Sequence, residues 1–389
     1  MSLEYDFLAP GRISFGWGRL AKAGTLAQGL GRRAFIVAGS RTLEDAGVLD
    51  RLEKSLEAAG IEALHVETIR REPRVLDVDR LTARLPALQE GDFFIGIGGG
   101  AGMDMAKAAA AMATNRASPT VRDYLEGVGT GLSLERDPLP VMAIPTTAGT
   151  GAEVTKNAVI SCDDPPFKKS LRSDRMIPRV VLVDPELTVT APPRVTAASG
   201  MDALTQLIES WISCRAQPIP QALARGALAL AARSLEKAVQ EPADREAREG
   251  MAHAALISGL ALANSGLGMA HAVAAALGIT CQVPHGLACA LMLPAALEAN
   301  RAARPREIAE IGRLLSRRDF AGDGEAARAA PGAARDLAAR IGIPRRLSEI
   351  GVRREQIPDL VRGSRGNSMS GNPRPIDDVE LSAILEAML

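Results

Sequence analysis

The chain has 389 residues, 46 Lys+Arg against 46 Asp+Glu, 47% hydrophobic residues and only 3% aromatics. A balanced charge disfavours a nucleic-acid binder, which needs a basic surface to release counterions, and the scarcity of aromatics disfavours a base-stacking platform. The apolar share excludes disorder, and the length predicts two domains. Met1 to Asp6 shows no basic stretch leading into an apolar one, and no apolar run approaches the ~18 residues of a membrane span. Neither a leader nor membrane association is therefore expected. Cys162, Cys214, Cys281 and Cys289 show no CxxC spacing. They are expected to be reduced and mostly buried, as in a cytoplasmic protein.

In chain order, Ala34–Ala38 is a short apolar run ending in Gly39-Ser40, and Asp45–Ala59 carries helical spacing at Val48, Leu49, Leu52 and Leu56. A strand is predicted over 61–66, a helix over 75–85, and a buried strand over 93–97 running into Gly98-Gly99-Gly100. The Ala-rich stretch 101–114 predicts a helix, and 141–144 and 179–184 predict two more strands. Strands alternating with helices imply a parallel sheet covered on both faces. Beyond Pro192-Pro193 the strand signals cease. Helices are predicted over 198–213, 220–240, 245–263, 268–277 and 287–301, with more to the end. The expected fold is an α/β parallel-sheet domain over 1–190 followed by an all-helical domain over 191–389. Residues 363–373 read as a long polar loop.

Three segments carry candidate chemistry. Gly98-Gly99-Gly100-Ala101-Gly102, with Asp104 and Lys107 after it, lies between a strand and a helix, where a diphosphate meets bare backbone and a helix N-terminus. Its spacing is not GxGxxG, so a plain tight turn is the competing reading. The run 145–155 places Thr146, Thr147, Thr150 and Thr155 among two glycines. It suits a ribose or phosphate, and also a helix cap with Thr150 and Glu153 as a capping box. Asp202 and Gln206 share a helix face at i, i+4, and His271 and His285 lie in an otherwise apolar stretch. Together they form a four-point divalent-metal candidate. His65 and His253 read as core histidines without a role.

The run Pro145-Thr146-Thr147-Ala148-Gly149-Thr150-Gly151-Ala152-Glu153-Val154-Thr155 resembles the signature of the iron-containing (group III) alcohol dehydrogenases. Gly98-Gly99-Gly100, Asp184-Pro185, Gly200-Met201-Asp202 and Pro284-His285-Gly286 follow in that family's order, so the resemblance spans nearly the whole chain. It implies a dinucleotide-binding domain, a helical metal-binding domain and a cleft between them, as in dehydroquinate synthase. It implies hydride transfer between nicotinamide and a carbonyl, with a divalent metal polarising the substrate oxygen. It also implies a small alcohol or aldehyde substrate and a homodimer or larger assembly. Gly39, Ser40, Arg41, Gly98, Gly99, Gly100, Asp104, Thr146, Thr147, Thr150 and Lys168 fall at cofactor-binding positions, with Lys168 near a ribose or phosphate. The metal positions are Asp202, Gln206, His271 and His285.

Two departures stand out. Gln206 occupies the place of a ligand histidine, and Ala275 that of a second histidine near the nicotinamide. An amide oxygen is a harder, weaker donor than imidazole, which shifts preference towards iron(II) or manganese over zinc and leaves a metal-free site open. Without a ring at 275, protons would travel through a ribose hydroxyl, water or another, unidentified side chain. After the second strand, Gly39-Ser40-Arg41 contains no carboxylate to repel a 2′-phosphate, so NADP is expected to be accepted beside NAD or preferred to it. Alternatives are a dehydroquinate-synthase-like or maleylacetate-reductase-like enzyme, or a dinucleotide-binding protein with a decayed metal site.

Overall fold

A computed structural model describes residues 4–40 and 42–389. Arg41 and the first three positions of the segment read for a leader lie outside the described residues. The chain divides into two compact units. One comprises Leu8–Thr147 and Gly151–Val189, the other Ala148–Thr150 and Thr190–Leu389 with the residues up to Phe7.

The first unit holds the strands β1 (Arg12–Phe15), β2 (Arg33–Ala38), β3 (Glu62–Thr68), β4 (Asp92–Gly98), β5 (Val141–Pro145), β6 (Asn157–Asp163), β7 (Pro166–Arg172) and β8 (Val180–Val183). Six of them form a parallel sheet in the order β1-β8-β5-β4-β2-β3, and β6 and β7 pair as an antiparallel hairpin. The helices are α1 (Ala23–Ala27), α2 (Thr42–Asp45), α3 (Val48–Glu57), α4 (Val75–Arg84) and α5 (Gly100–Thr114). Strand side chains alternate between faces. Accordingly Ala34, Ile36 and Ala38 of β2 join Leu49, Leu52 and Leu56 of α3 in one core. Phe35 and Val37 join Val78 and Leu81 of α4 and Met105 of α5 in the other. The sheet is thus covered on both sides, as the unbroken apolar runs require.

Several expectations change here. The helix expected from Asp45 to Ala59 is broken, because α2 ends at Asp45 and Gly47, at φ +67°, redirects the chain before α3. β1 and the β6–β7 hairpin are not expected from the sequence; β1 has no buried residue, and β6 and β7 bury only two residues each among partly exposed ones, so no unbroken apolar run marks them. The helix expected to start at Thr150, with Glu153 in its capping box, is not an α-helix. Gly151, at φ +61°, leads instead into a single 3-10 turn over Ala152–Val154 with no side-chain cap.

The second unit is built from α6 (Pro193–Ile212), α7 (Pro218–Gln240), α8 (Arg245–Ser265), α9 (Met269–Cys281), α10 (His285–Asn300), α11 (Pro305–Ser316), α12 (Asp323–Arg340), α13 (Ile357–Gly363) and α14 (Asp378–Ala387). Buried without interruption from Gly200 to Ile212, α6 is the axis against which α7, α8 and α10 pack. The stretch 363–373 is not a plain surface loop: it contains a 3-10 turn over Met369–Gly371, and Asn372 after it is buried. His65 and His253 are exposed rather than core residues. Of the cysteines only Cys289 is buried; Cys162 and Cys281 are half-buried and Cys214 is exposed. Among the described residues no single helix is long and apolar enough to cross a membrane.

Candidate active site

In the α/β unit the chain leaves β2 towards β3 and leaves β4 towards β5, so the connections diverge between β2 and β4. Open parallel sheets bind ligands at such a switch point, beyond the carboxyl ends of the strands. There the backbones close on each other. The Gly39 N–H donates to the Ile97 carbonyl at 2.8 Å, and the Thr146 N–H to the Gly98 carbonyl at 2.8 Å. Gly98 has φ +149°, and a Cβ on it would lie 2.7 Å from Gly39 Cα, so neither position admits a side chain without displacement. Gly99 lies against the Thr147 hydroxyl, and Gly100 opens the 15-residue α5 with no side-chain cap on its first amides. The floor so formed is bare backbone at a positive dipole end, which suits a diphosphate.

Other expected cofactor residues are engaged elsewhere. Ser40 Oγ accepts the Thr42 N–H at 2.9 Å. Lys107 is fully buried: its Nζ donates to the Ala152 carbonyl at 2.8 Å, to Thr155 Oγ1 at 3.1 Å and to the Asn157 carbonyl, and faces Asp104 Oδ1 at 3.1 Å. Asp104 Oδ2 accepts the Val159 N–H at 3.1 Å. Burial raises the Asp104 carboxyl despite Lys107 beside it. These two residues brace the 152–159 segment. Lys168, on β7, pairs with Glu72. Burial pushes the Glu153 carboxyl up to about 7. Thr150 belongs with the helical unit, where Ser199 leaves room for no side chain at the adjacent Gly149.

The helical unit brings the metal candidates together. Asp202, Gln206 and Glu209 project from one face of α6, at i, i+4 and i+7. His271 lies in the first turn of α9, and His285 opens α10. Gly286 makes the last approach possible, since a Cβ there would sit 2.4 Å from the Ala198 carbonyl oxygen of α6. His271 Nε2 is 3.2 Å from Asp202 Oδ1, and His285 Nε2 is 3.8 Å from the same oxygen. Ser258 Oγ of α8 lies 3.3 Å from Gln206 Oε1, while the Gln206 side chain hydrogen-bonds Asp202. Ala275 stands one helical turn beyond His271 and adds no polar group.

Two members of the cluster were not anticipated. Glu209 accepts the N–H groups of Gly268 at 3.0 Å and Ala270 at 2.6 Å, and His271 Nδ1–H at 2.7 Å. It therefore caps α9 from α6 and fixes the His271 ring with Nε2 towards Asp202. Cys289, one turn after His285 on α10, has its Sγ 3.7 Å from His285 Nε2. The donor atoms of Asp202, His271, His285 and Cys289 all lie within 4.8 Å of one another. Burial would raise the Asp202 carboxyl, but the facing His285 and His271 outweigh it and hold it down at about 2. Burial would lower the His271 imidazole, yet the carboxylates of Asp202 and Glu209 on its two ring nitrogens carry it well above its ordinary value. Burial pushes the Cys289 thiol up to about 12.

The model of the iron-containing alcohol dehydrogenase family matches residues 10–185, and that of its C-terminal domain matches 196–389. The chain is 34% identical over 375 residues to long-chain-alcohol dehydrogenase 1 of Geobacillus thermodenitrificans, covering 96% of this chain and 93% of that one. It is 34% identical to 1,3-propanediol dehydrogenase of Klebsiella pneumoniae, over 98% of this chain and 97% of that one. Among solved structures, a 1,3-propanediol oxidoreductase superposes with a TM-score of 0.92 at 32% identity, over 99% of this chain and 100% of that one. The chain belongs to the iron-containing alcohol dehydrogenase family and is an oxidoreductase of alcohols and aldehydes, a membership that implies NAD(H) and a divalent metal.

Proposed function

We propose that Asp202, His271 and His285 hold the divalent ion, that Gln206 lines the same site, and that the glycine floor around Gly39 and Gly98 takes the dinucleotide diphosphate. The observation that carries this reading is the convergence of one carboxylate and two imidazoles on one point, with Asp202 and His271 buried and His285 half-buried. Buried polar groups of that kind persist when they are paired or coordinate a cation. The donor set therefore fits a divalent ion. When bound, the ion supplies Lewis-acid stabilisation of charge on the substrate oxygen, and the nicotinamide supplies or accepts the hydride.

The chain's own residues perform the preparatory work. Asp202 contributes the negative charge that retains a cation. Glu209 holds the proton on His271 Nδ1, leaving Nε2 as the donor atom. Ala275 provides no titratable group, so the substrate proton is exchanged with water or a cofactor hydroxyl. Ser40 and Arg41, with no carboxylate before Glu44, support acceptance of NADP(H) beside NAD(H).

Steady-state assays of the metal-loaded protein on a series of aldehydes and primary alcohols test the reading. Turnover with both NADPH and NADH is expected, and Asp202→Ala should abolish it together with metal retention. A tenfold or greater advantage of NADH in kcat/KM overturns the cofactor part. NADPH binding without turnover on any substrate overturns the whole.

A further inference from the structure

We infer that Cys289 is a ligand of the divalent ion, its thiolate taking the corner that Gln206 does not supply. This rests on the reading that Asp202, His271 and His285 hold that ion. With ligand bonds of about 2.0–2.3 Å, a tetrahedral ion separates neighbouring donors by about 3.3–3.6 Å. The observed separations are 3.2 Å from His271 to Asp202, 3.8 Å from His285 to Asp202 and 3.7 Å from Cys289 to His285. Cys289 and His285 are i, i+4 on α10, so the Gly286 contact that aims His285 at Asp202 aims the thiol there too. Gln206 has other partners, Asp202 and Ser258.

On binding, the S–H bond breaks and the S–metal bond forms. The proton leaves to buffer, and no electron changes hands. A coordinating thiol is deprotonated outright by the cation itself. Two anionic donors would then neutralise a divalent charge, the substrate oxygen would have to enter as a fifth donor, and a soft sulfur favours zinc over iron(II) or manganese, reversing the preference expected from the amide alone.

The test is cobalt(II) titration of the full-length protein after chelator treatment. One equivalent should bind and produce thiolate-to-cobalt charge-transfer absorption in the near ultraviolet. Cys289→Ser should lose that absorption and bind cobalt at least tenfold more weakly. Gln206→Ala should keep it, as should the combined Cys162→Ser, Cys214→Ser and Cys281→Ser protein. Zinc should displace iron(II) from the wild type. One equivalent of cobalt bound without the absorption, or absorption persisting in Cys289→Ser, overturns the assignment and leaves the three-ligand reading standing. No cobalt bound by the wild type overturns both.

Discussion

The glycine floor and the donor cluster offer a ligand opposite kinds of contact. The floor is built from backbone: Gly39, Gly98 and Gly99 contribute by lacking side chains, and the charged residues near it, Asp104 and Lys107, face the neighbouring segment instead. The cluster is built from side chains carried by three helices, and its backbone contribution is the close approach at Gly286. A backbone site tolerates exchange of the residues around it but not of its glycines. A side-chain site can change its donors one at a time, provided another group reaches the same point. Cys289 within reach of His285, in a chain with Gln206, is the exchange inferred above.

The largest effect is expected at Asp202. Replacing a residue that merely orients a ligand costs roughly 10–100-fold in metal affinity, and removing the anionic ligand itself should cost more. Asp202→Asn is expected to weaken zinc or cobalt binding by roughly 10³-fold or more while leaving NADPH affinity unchanged. Equilibrium dialysis against a chelator buffer measures the first, and nucleotide fluorescence titration the second. Metal affinity within tenfold of wild type would remove Asp202 from the ligand set.

In the α/β unit the corresponding test concerns stability. Glu153 is 2% exposed, and burial lifts its carboxyl from 4.5 to about 7. Between those values the folded protein holds a proton that the unfolded chain has released, so stability falls as pH rises through that window and stays lowered above it. At ~1.4 kcal/mol per pH unit the ceiling is about 3 kcal/mol. Glu153→Gln should flatten the dependence and raise stability at pH 8 by up to that amount, with NADPH affinity unmoved. Parallel urea-unfolding curves of the two proteins at pH 5 and pH 8 decide it; equal slopes with pH overturn the reading.

Legibility from sequence follows the same division. Strands buried on both faces announce themselves, as at Ala34–Ala38 and Phe93–Ile97, because each residue meets an apolar layer. β6 and β7 did not, since their partly exposed polar positions read as loop. Helix spacing placed Asp202 and Gln206 on one face. The same arithmetic, extended one turn, reaches Glu209, and applied to α10 it joins His285 to Cys289. The signal was present at both positions. It is not decisive there, because a buried cysteine ordinarily fills a core, and because only the tertiary packing of α6 against α9 and α10 shows which neighbours share a point.

A smaller effect is expected at Glu209. Its carboxylate accepts His271 Nδ1–H and backbone N–H groups at the start of α9. Outer partners of this kind change metal affinity by roughly 10–100-fold. Glu209→Gln keeps an acceptor for the amides but weakens the hold on the ring. It should lower zinc affinity within that range, and the His271 Nδ1 proton should exchange faster in nitrogen-resolved NMR of the metal-loaded protein. Unchanged affinity with unchanged exchange would assign Glu209 to capping α9 alone.

The smallest effect is expected at Lys168. Its ammonium pairs with Glu72, whose side chain is 47% exposed. Ion pairs open to solvent contribute about 0–1 kcal/mol and weaken with salt. Lys168→Ala should therefore shift stability by less than about 1 kcal/mol. Its effect on the dinucleotide is the informative part. If the floor is backbone, KM for NADPH should rise by less than tenfold, with the NADPH-to-NADH ratio preserved. A larger rise confined to NADPH would mean that Lys168 leaves Glu72 for the 2′-phosphate, and the nucleotide site would then share the side-chain logic of the donor cluster.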